Sequence, residues 1–326
     1  MALLYPLRFR PILKNYLWGG RRLETSLGKP LPPGDNWAES WEISDHGPDQ
    51  SIVDFGPLAG TTLGQLVGQH GQALLGRHDP QPRFPLLLKF LDAAQTLSVQ
   101  VHPDDARAAR LDPPDSGKTE AWVVLEAAAG SLIYAGLKPN VNREALSAAI
   151  RRGTNAAIGE CLHAFSPSPR DCIFVPAGTV HALGAGLLVA EIQQSSDATF
   201  RLFDWNRVGP DGRPRPLHVQ QGLEAIDYRR GPVEPRRPQT TDRTEVGRLV
   251  ECDKFVLDRW EFTSPLSAGG DGRFHIISVL EGAVQIEGDP AAIPLLRGKT
   301  TLLPAECGMV RLSPKGKTTL LDAYLP

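Results

Sequence analysis

Thiols are scarce in this chain of 326 residues: it has four cysteines, Cys161, Cys172, Cys252 and Cys307. None forms a CxxC pair, which excludes a thiolate zinc knuckle and a dithiol redox motif. Scattered thiols fit a reducing cytosol. Net charge is also small, −2 at pH 7. No global basic field exists to hold nucleic acid or an anionic membrane, so any anion must be gripped by a local cluster. No apolar run approaches the ~20 residues needed to span a bilayer. The opening MALLYPLRFRPILKNYLWGG has no uninterrupted hydrophobic stretch, because Pro6, Arg8 and Arg10 break it. No GxxxxGK[ST] loop occurs, so nucleotide binding is not indicated. Together these absences predict a soluble cytoplasmic protein with neither nucleic acid nor membrane as a partner.

Punctuation is plentiful: 29 prolines and 32 glycines suit many short strands joined by turns. The segment Leu97–Asp105 alternates polar and apolar residues and reads as a strand. Ser98, Gln100 and His102 share one face, and Leu97, Val99 and Val101 share the other. Three polar side chains on one face of a buried strand each need a partner. A metal site with a substrate beside it supplies them; a solvent-facing strip would not need them. Trp37–Ser44 is a second alternating strand, with Trp37, Glu39 and Trp41 on one face. That face suits either a sugar site or the domain surface. Lys14–Gly20 reads as an aromatic, turn-rich loop, residues 61–76 as a helix, Phe84–Leu91 as a core strand, and 104–117 as a polar loop. Lys118–Glu126 is a strand with Lys118 and Glu120 on one face.

Two stretches recur. Val124-Leu125-Glu126 resembles Val279-Leu280-Glu281, and Cys172–Ala177 resembles Thr301–Ala305. The interval from Val124 to Pro176 is 52 residues and that from Val279 to Pro304 is 25, a difference of 27. Residues 138–165 account for it as an insertion of helical character, with Asn142 as N-cap. The chain therefore reads as two related β units. His181 lies five residues after Pro176, whereas Met309 lies five after Pro304. A thioether is a poor ligand for a borderline cation, so the second unit is expected to lack a metal site. Polar, Pro-rich residues 229–248 read as a linker.

The inward faces of the first unit collect Gln100, His102, Glu120 and His181. One amide oxygen, two imidazoles and a carboxylate suit a divalent ion such as zinc and leave it a site charge of about +1, so it stays a Lewis acid. Ser98, Lys118, Arg201 and Arg207 form a candidate phosphate cradle.

These residues also carry a family resemblance. SVQVHPDD, GKTEAW, VPAGTVHALGAG, EIQQSSDATFRLFDW, NYLWGG and AESWEIS resemble type I mannose-6-phosphate isomerases, which are bicupin zinc enzymes. The resemblance implies a mainly β fold of two cupin-like (jelly-roll) β-barrel units with a small helical insertion in the first. The expected layout is a catalytic cupin over 1–228 with the insert at about 138–165, a linker over 229–248, and a second cupin over 249–326 without the metal. It implies one zinc ion per chain on Gln100, His102, Glu120 and His181. Arg201 would be the catalytic arginine, and Ser98, Lys118, Arg207 and Trp18 would bind the sugar phosphate. The implied reaction interconverts mannose 6-phosphate and fructose 6-phosphate through a cis-enediol. A base must then carry a proton between two carbons. Glu191 is favoured, with Asp204 and Lys118 as other candidates, and the alternative role of Glu191 is to orient Arg201 by an ion pair. The rival readings are a non-catalytic sugar-phosphate-binding bicupin and a metal-dependent cupin oxygenase. Oligomeric state is not legible.

Overall fold

Alternation of apolar residues makes strands, and here it makes little else. The structure, a computed structural model describing residues 4–209 and 212–326, is mainly β. The first half has a six-stranded sheet in the order Cys172–Val175, Glu120–Ala127, Leu187–Gln194, Leu86–Ala93, Trp37–Ile43, Ile12–Gly20. Facing it is a five-stranded sheet in the order Leu162–Phe165, Ile133–Leu137, His181–Leu183, Val99–Val101, Phe200–Phe203. The second half repeats the plan. Its six strands run Thr300–Leu303, His275–Glu281, Thr318–Tyr324, Val256–Phe262, Val246–Glu251, Gln239–Thr240. Its four run Leu295–Leu296, Ala283–Ile286, Met309–Pro314, Leu266–Gly269. Each half is cupin-like, built as two facing sheets rather than one closed hydrogen-bonded barrel.

The two faces of the first large sheet have different fates, because strand side chains alternate. Leu86, Leu88 and Phe90, with Leu188, Ala190 and Ile192, pack outward against Leu257, Phe274, Ile276 and Leu321 of the second half. Phe84 and Phe274 meet there at 4.7 Å between ring centroids. Each such fully buried side chain contributes about 1.5–3 kcal/mol. The other face carries Leu91, Trp122, Val124 and Val189, which pack against Ile133, Ala135 and Leu183 of the facing sheet. The same face necessarily carries Lys89, Glu120 and Glu191. Val99 and Val101 turn away into a third core with the helical insert, so Gln100 and His102 turn inward.

The insert forms helices Arg143–Arg152 and Asn155–Cys161. Asn142 caps the first, its side chain accepting from Ala145 N at 2.9 Å. Leu146 and Ala149 bury its apolar face, while Ala145 is exposed. The helix Leu63–Leu75 begins at a Thr62–Gln65 capping box. Three features differ from the sequence reading. Lys14–Gly20 lies in the edge strand Ile12–Gly20 rather than a loop, with Asn15 and Gly20 both registered on Trp37. The residues between them bulge, which explains their turn-like composition. The 104–117 loop contains the short helix Asp105–Ala108. Residues 229–248 carry the strand Gln239–Thr240 and the start of Val246–Glu251. Near the N-terminus, Leu7 exchanges backbone hydrogen bonds of 2.8 and 2.9 Å with Leu302, so Leu7 bridges to the edge strand of the second half's large sheet. All four cysteines are free. Among the described residues no helix is long and apolar enough to cross a membrane.

Candidate metal centre and catalytic cleft

Between the sheets of the first half lies a cavity of about 300 Å³. The strand Val99–Val101 brings in Gln100, the strand Glu120–Ala127 brings in Glu120, and the strand His181–Leu183 brings in His181. Gln100 sits directly opposite His181 across the ladder. His102 is one residue past its strand. Its ring Nε2 is 3.5 Å from Glu120 Oε2, and His181 Nε2 is 3.4 Å from Glu120 Oε1. Ligand atoms of His102, Glu120 and His181 all lie within 4.8 Å of one another. Gln100 Nε2 is 3.1 Å from His181 Nε2; a half-turn of the amide presents its oxygen instead.

The chemistry of this set is that of a cation site. His102 Nδ1 donates to Ala198 O and His181 Nδ1 donates to Thr179 O, each at 2.9 Å. Both Nε2 atoms therefore offer lone pairs to the same space. Burial pushes His102 down to about 3, helped by Lys118, and burial likewise lowers His181. Both rings are neutral, as ligands must be. Burial alone would raise Glu120, but Lys118 and the two imidazoles hold it well below the usual carboxylate range. Its Oε2 is buried without a well-aligned hydrogen bond. Lys118 Nζ stands 3.3 Å from both His102 Nε2 and Glu120 Oε2, so positive charge is already drawn there. Two lone pairs and a carboxylate with an unmet acceptor fit a divalent metal ion.

Beside this cluster, Glu191 accepts from Trp122 Nε1 at 2.9 Å and lies 3.1 Å from Lys89 Nζ. Burial raises its pKa to about 7, reinforced by Glu120 and opposed by Lys89. Lys89 is itself 3.3 Å from Glu39. Burial would lower its pKa, but Glu191 and Glu39 raise it.

Two family descriptions match this chain: "Phosphomannose isomerase type I, catalytic domain" over residues 7–120, and "Mannose-6-phosphate isomerase, cupin domain" over residues 245–322. The chain is 35% identical over 312 residues to the mannose-6-phosphate isomerase ManA of Bacillus subtilis strain 168, spanning 94% of this chain and 95% of that protein. It is 32% identical over 302 residues to the mannose-6-phosphate isomerase of Streptococcus mutans, spanning 92% of each. The crystal structure of the mannose 6-phosphate isomerase from Bacillus subtilis superposes with a TM-score of 0.89 at 30% identity, covering 99% of this chain and 100% of that one. This chain belongs to the type I phosphomannose isomerase family.

The cleft of this phosphomannose isomerase family member draws in most of the residues singled out by sequence. Trp18, Ser98, Lys118, Glu191 and Arg201 all line it alongside Gln100, Glu120 and His181; buried His102 joins the set through Glu120. Trp18 stacks on Tyr16 at 5.7 Å, giving the rim an aromatic wall. Half-buried Arg201 donates from Nε to Ser98 Oγ at 3.3 Å and from Nη1 to Pro216 O at 2.9 Å. No ion pair joins Arg201 to Glu191 among the described residues; Lys89 takes that place.

Arg207 does not reach the cleft. Trp205 and Asn206 have φ of 55° and 58°, and Arg207 N closes a tight turn on Asp204 O at 3.0 Å. That turn carries Arg207 to a separate surface hollow beside Tyr134 and Trp205. The guanidinium lining the cleft is Arg215. Asp204 is not a base here either. It accepts from Arg215 Nε at 2.7 Å and pairs with Arg207; burial would raise its pKa, but these two arginines lower it.

Sequence reasoning missed Lys89, Asp197 and Arg215 at the cleft, while Glu39, read on a face suited to either a sugar site or the domain surface, lines it too. A signal existed for Lys89, since a lone lysine inside the apolar run Phe84–Leu91 is almost never buried unpaired. Arg215 lies in an irregular segment with no periodicity to read. Lys89, Lys118, Arg201 and Arg215 balance Glu39, Glu120, Glu191 and Asp197 around the cleft. A divalent ion added to that balanced set makes the cleft net positive, which favours an anionic substrate.

Proposed function

We propose that this chain is a zinc-dependent aldose–ketose isomerase that interconverts mannose 6-phosphate and fructose 6-phosphate through a cis-enediol. One observation carries the reading: His102, Glu120 and His181 converge at the wall of the cavity that also holds a buried carboxylate with a pKa of about 7, that of Glu191. The relatives named for this activity support it.

A single zinc ion held by Gln100, His102, Glu120 and His181 would act as a Lewis acid on the sugar's carbonyl oxygen. The remaining work falls to the chain's own side chains. Glu191 takes the proton from C2 of the aldose and returns it to C1, while the hydroxyl proton passes from O2 to O1 across the cis-enediol; a carboxyl with a raised pKa is matched to both carbon steps. Trp122 and Lys89 hold that carboxylate in place, and the ammonium of Lys89 keeps it from rising further. Arg201 supplies fixed positive charge toward the oxygens that become anionic as the enediol forms. Ser98 and Arg215 bind the phosphate, Lys118, 3.3 Å from Glu120 Oε2, adds positive charge beside the ligand set instead, and Trp18 offers an apolar face to the sugar. Anchoring the phosphate away from C1 and C2 holds the open-chain sugar in register.

The test is a coupled assay for fructose 6-phosphate. Chelation abolishes the activity and zinc restores it. Full turnover by rigorously metal-free protein would overturn the zinc reading, and no turnover by zinc-loaded protein would overturn the isomerase itself.

A further inference from the structure

The two imidazoles of the metal cluster are braced in different ways. His181 Nδ1 donates to Thr179 O, two residues back in its own turn. His102 Nδ1 donates to Ala198 O, which belongs to the irregular stretch between the strands Leu187–Gln194 and Phe200–Phe203. A carbonyl in an irregular stretch fixes a ring only if something fixes the carbonyl. That something is Asp115. Its Oδ2 accepts from Ser196 Oγ at 3.0 Å and from Asp197 N at 3.1 Å. Its Oδ1 accepts from Arg83 Nη2 at 2.7 Å and from Ser116 N at 2.8 Å. His46 Nε2 lies 3.2 and 3.3 Å from the two oxygens. Ser196 Oγ in turn accepts from Ala198 N at 3.2 Å. The single proton of Ser196 Oγ is shared between Asp115 Oδ2 and the nearer Ser116 O at 2.7 Å, so Asp115 holds the loop through Asp197 N and through this hydroxyl, which leads on to Ala198 and the ring of His102.

We propose that Asp115 is a positioning residue for the metal centre: it clamps the 195–199 loop so that Ala198 O holds His102 with Nε2 facing the metal. The proposal rests on the reading of the cluster as a zinc site. Asp115 touches neither metal nor sugar. Outer partners of this kind set the tautomer and ring plane of a ligating histidine, and losing one costs about 10–100-fold in metal affinity. Asp115→Asn tests this well. The carboxamide keeps the shape but places an N–H donor where the carboxylate received donors, against either the Ser196–Asp197 side or the Arg83–Ser116 side.

The experiment titrates zinc against a chromophoric chelator with the parent, D115N, S196A and R83Q, each checked for native near-UV circular dichroism. R83Q removes one donor from Asp115 but leaves its contacts to Ser196 and Asp197, so it controls for general loosening. Expected is zinc binding ~10–100-fold weaker in D115N, ~10-fold weaker in S196A, and within ~3-fold of the parent in R83Q. Should D115N not fold, S196A decides. Parent-like zinc affinity in folded D115N, or in S196A where it decides, overturns the clamp while leaving the isomerase reading intact. A parent that binds no zinc overturns the metal reading and the clamp with it.

Discussion

The two halves of the chain share a sheet order, six strands in each large sheet and five against four in the facing one, yet their cavities are built on opposite terms. Glu120 lies opposite Val175 in the first half, and His275 lies opposite Leu303 in the second. Lys89 faces Glu191 across the ladder where Asp258 faces Asp322. Gln100 faces His181 where Gly269 faces Met309. The second half keeps a cavity, of about 250 Å³, lined by Arg248, Asp258, Asp271, His275, Asp322 and Tyr324. Those groups answer one another. His275 Nδ1 is 2.9 Å from Asp322 and Nε2 is 3.2 Å from Asp271. Asp258 accepts from Arg248 Nε at 2.8 Å and from Tyr324 OH at 2.9 Å. In the first half, by contrast, Glu120 Oε2 and Glu191 Oε1 are buried without a well-aligned donor. Each of these oxygens has an ammonium nearby, Lys118 at 3.3 Å and Lys89 at 3.1 Å, and the second cavity keeps an orphan of its own, Trp260 Nε1. The difference lies in the acceptors: the first half turns carboxylate oxygens and two imidazole lone pairs toward one space that a cation can fill, whereas the second half pairs its carboxylates with its own histidine, arginine and tyrosine.

The largest expected effect follows from exchanging one group in each cavity. Glu120→Gln should abolish zinc binding and lower kcat/KM by at least ~10³-fold, since the charge stabilisation is lost outright. His275→Gln, at the matching strand position, should leave kcat/KM within ~2-fold while costing about 3 kcal/mol of stability, because it strands the buried Asp322 carboxylate. Zinc titration, steady-state kinetics and chemical denaturation of both variants measure this. A folded His275→Gln protein without activity would show that the second cavity serves the chemistry.

Next in size is the base. Glu191→Gln should lower kcat by ~10²–10⁴-fold while zinc affinity stays within ~3-fold, because Glu191 is no ligand. Burial, reinforced by Glu120, puts Glu191 at about 7 in metal-free protein; a divalent ion on Glu120 lowers it, so in the zinc-loaded parent the acid limb of kcat should lie below 7. The sign is that of a base: activity rises as the carboxyl deprotonates. A kcat for Glu191→Gln within ~2-fold of the parent would pass the role to another group.

Smaller again is the phosphate end. Arg215→Ala should raise KM for mannose 6-phosphate ~10–100-fold, the worth of one lost charge-assisted contact. Arg207→Ala should change KM by no more than ~3-fold, because Arg207 lies outside the cleft. Equal effects of the two would mean the turn at Trp205 and Asn206 opens when substrate binds.

The contrast between the halves also explains what could be read without coordinates. The ligand set was legible because its members sit on alternating strands, where spacing of two fixes the face, and because His181 closes a short turn after Pro176. The duplication was legible from two short matches, and the strand registers bear it out through Glu120 and His275. Lys89 was hidden by its neighbours: Leu88 and Phe90 belong to the core between the halves, and the apolar run looked continuous. Arg207 was misplaced because two left-handed residues after the strand Phe200–Phe203 reverse the chain. Backbone turns of that kind are set by where Asn206 can bond, here Gly153 O at 3.0 Å in the helical insert, and that partner is distant in sequence.

The smallest effect concerns pH and separates the halves by sign. Burial would lower His275, but Asp322 and Asp271 outweigh it and raise it to about 10. A histidine whose folded pKa lies above its unfolded value of about 6.5 stabilises fully below that value. That stabilisation is lost as pH rises from about 6.5 to about 10. His102, lowered to about 3 chiefly by burial, has the opposite sign: in metal-free protein its contribution is present above about 6.5 and falls away toward acid. Metal-free parent should therefore lose about two degrees of Tm between pH 7 and pH 8; above about 8.5 the thiols of Cys172 and Cys307, both pushed up by burial, ionise in the unfolded chain and add a loss of their own. His275→Gln should start lower at pH 7 and decline less over the same interval, since the titrating group is gone. A slope unchanged by the substitution would assign the alkaline loss to some other group and leave His275 without its imidazolium.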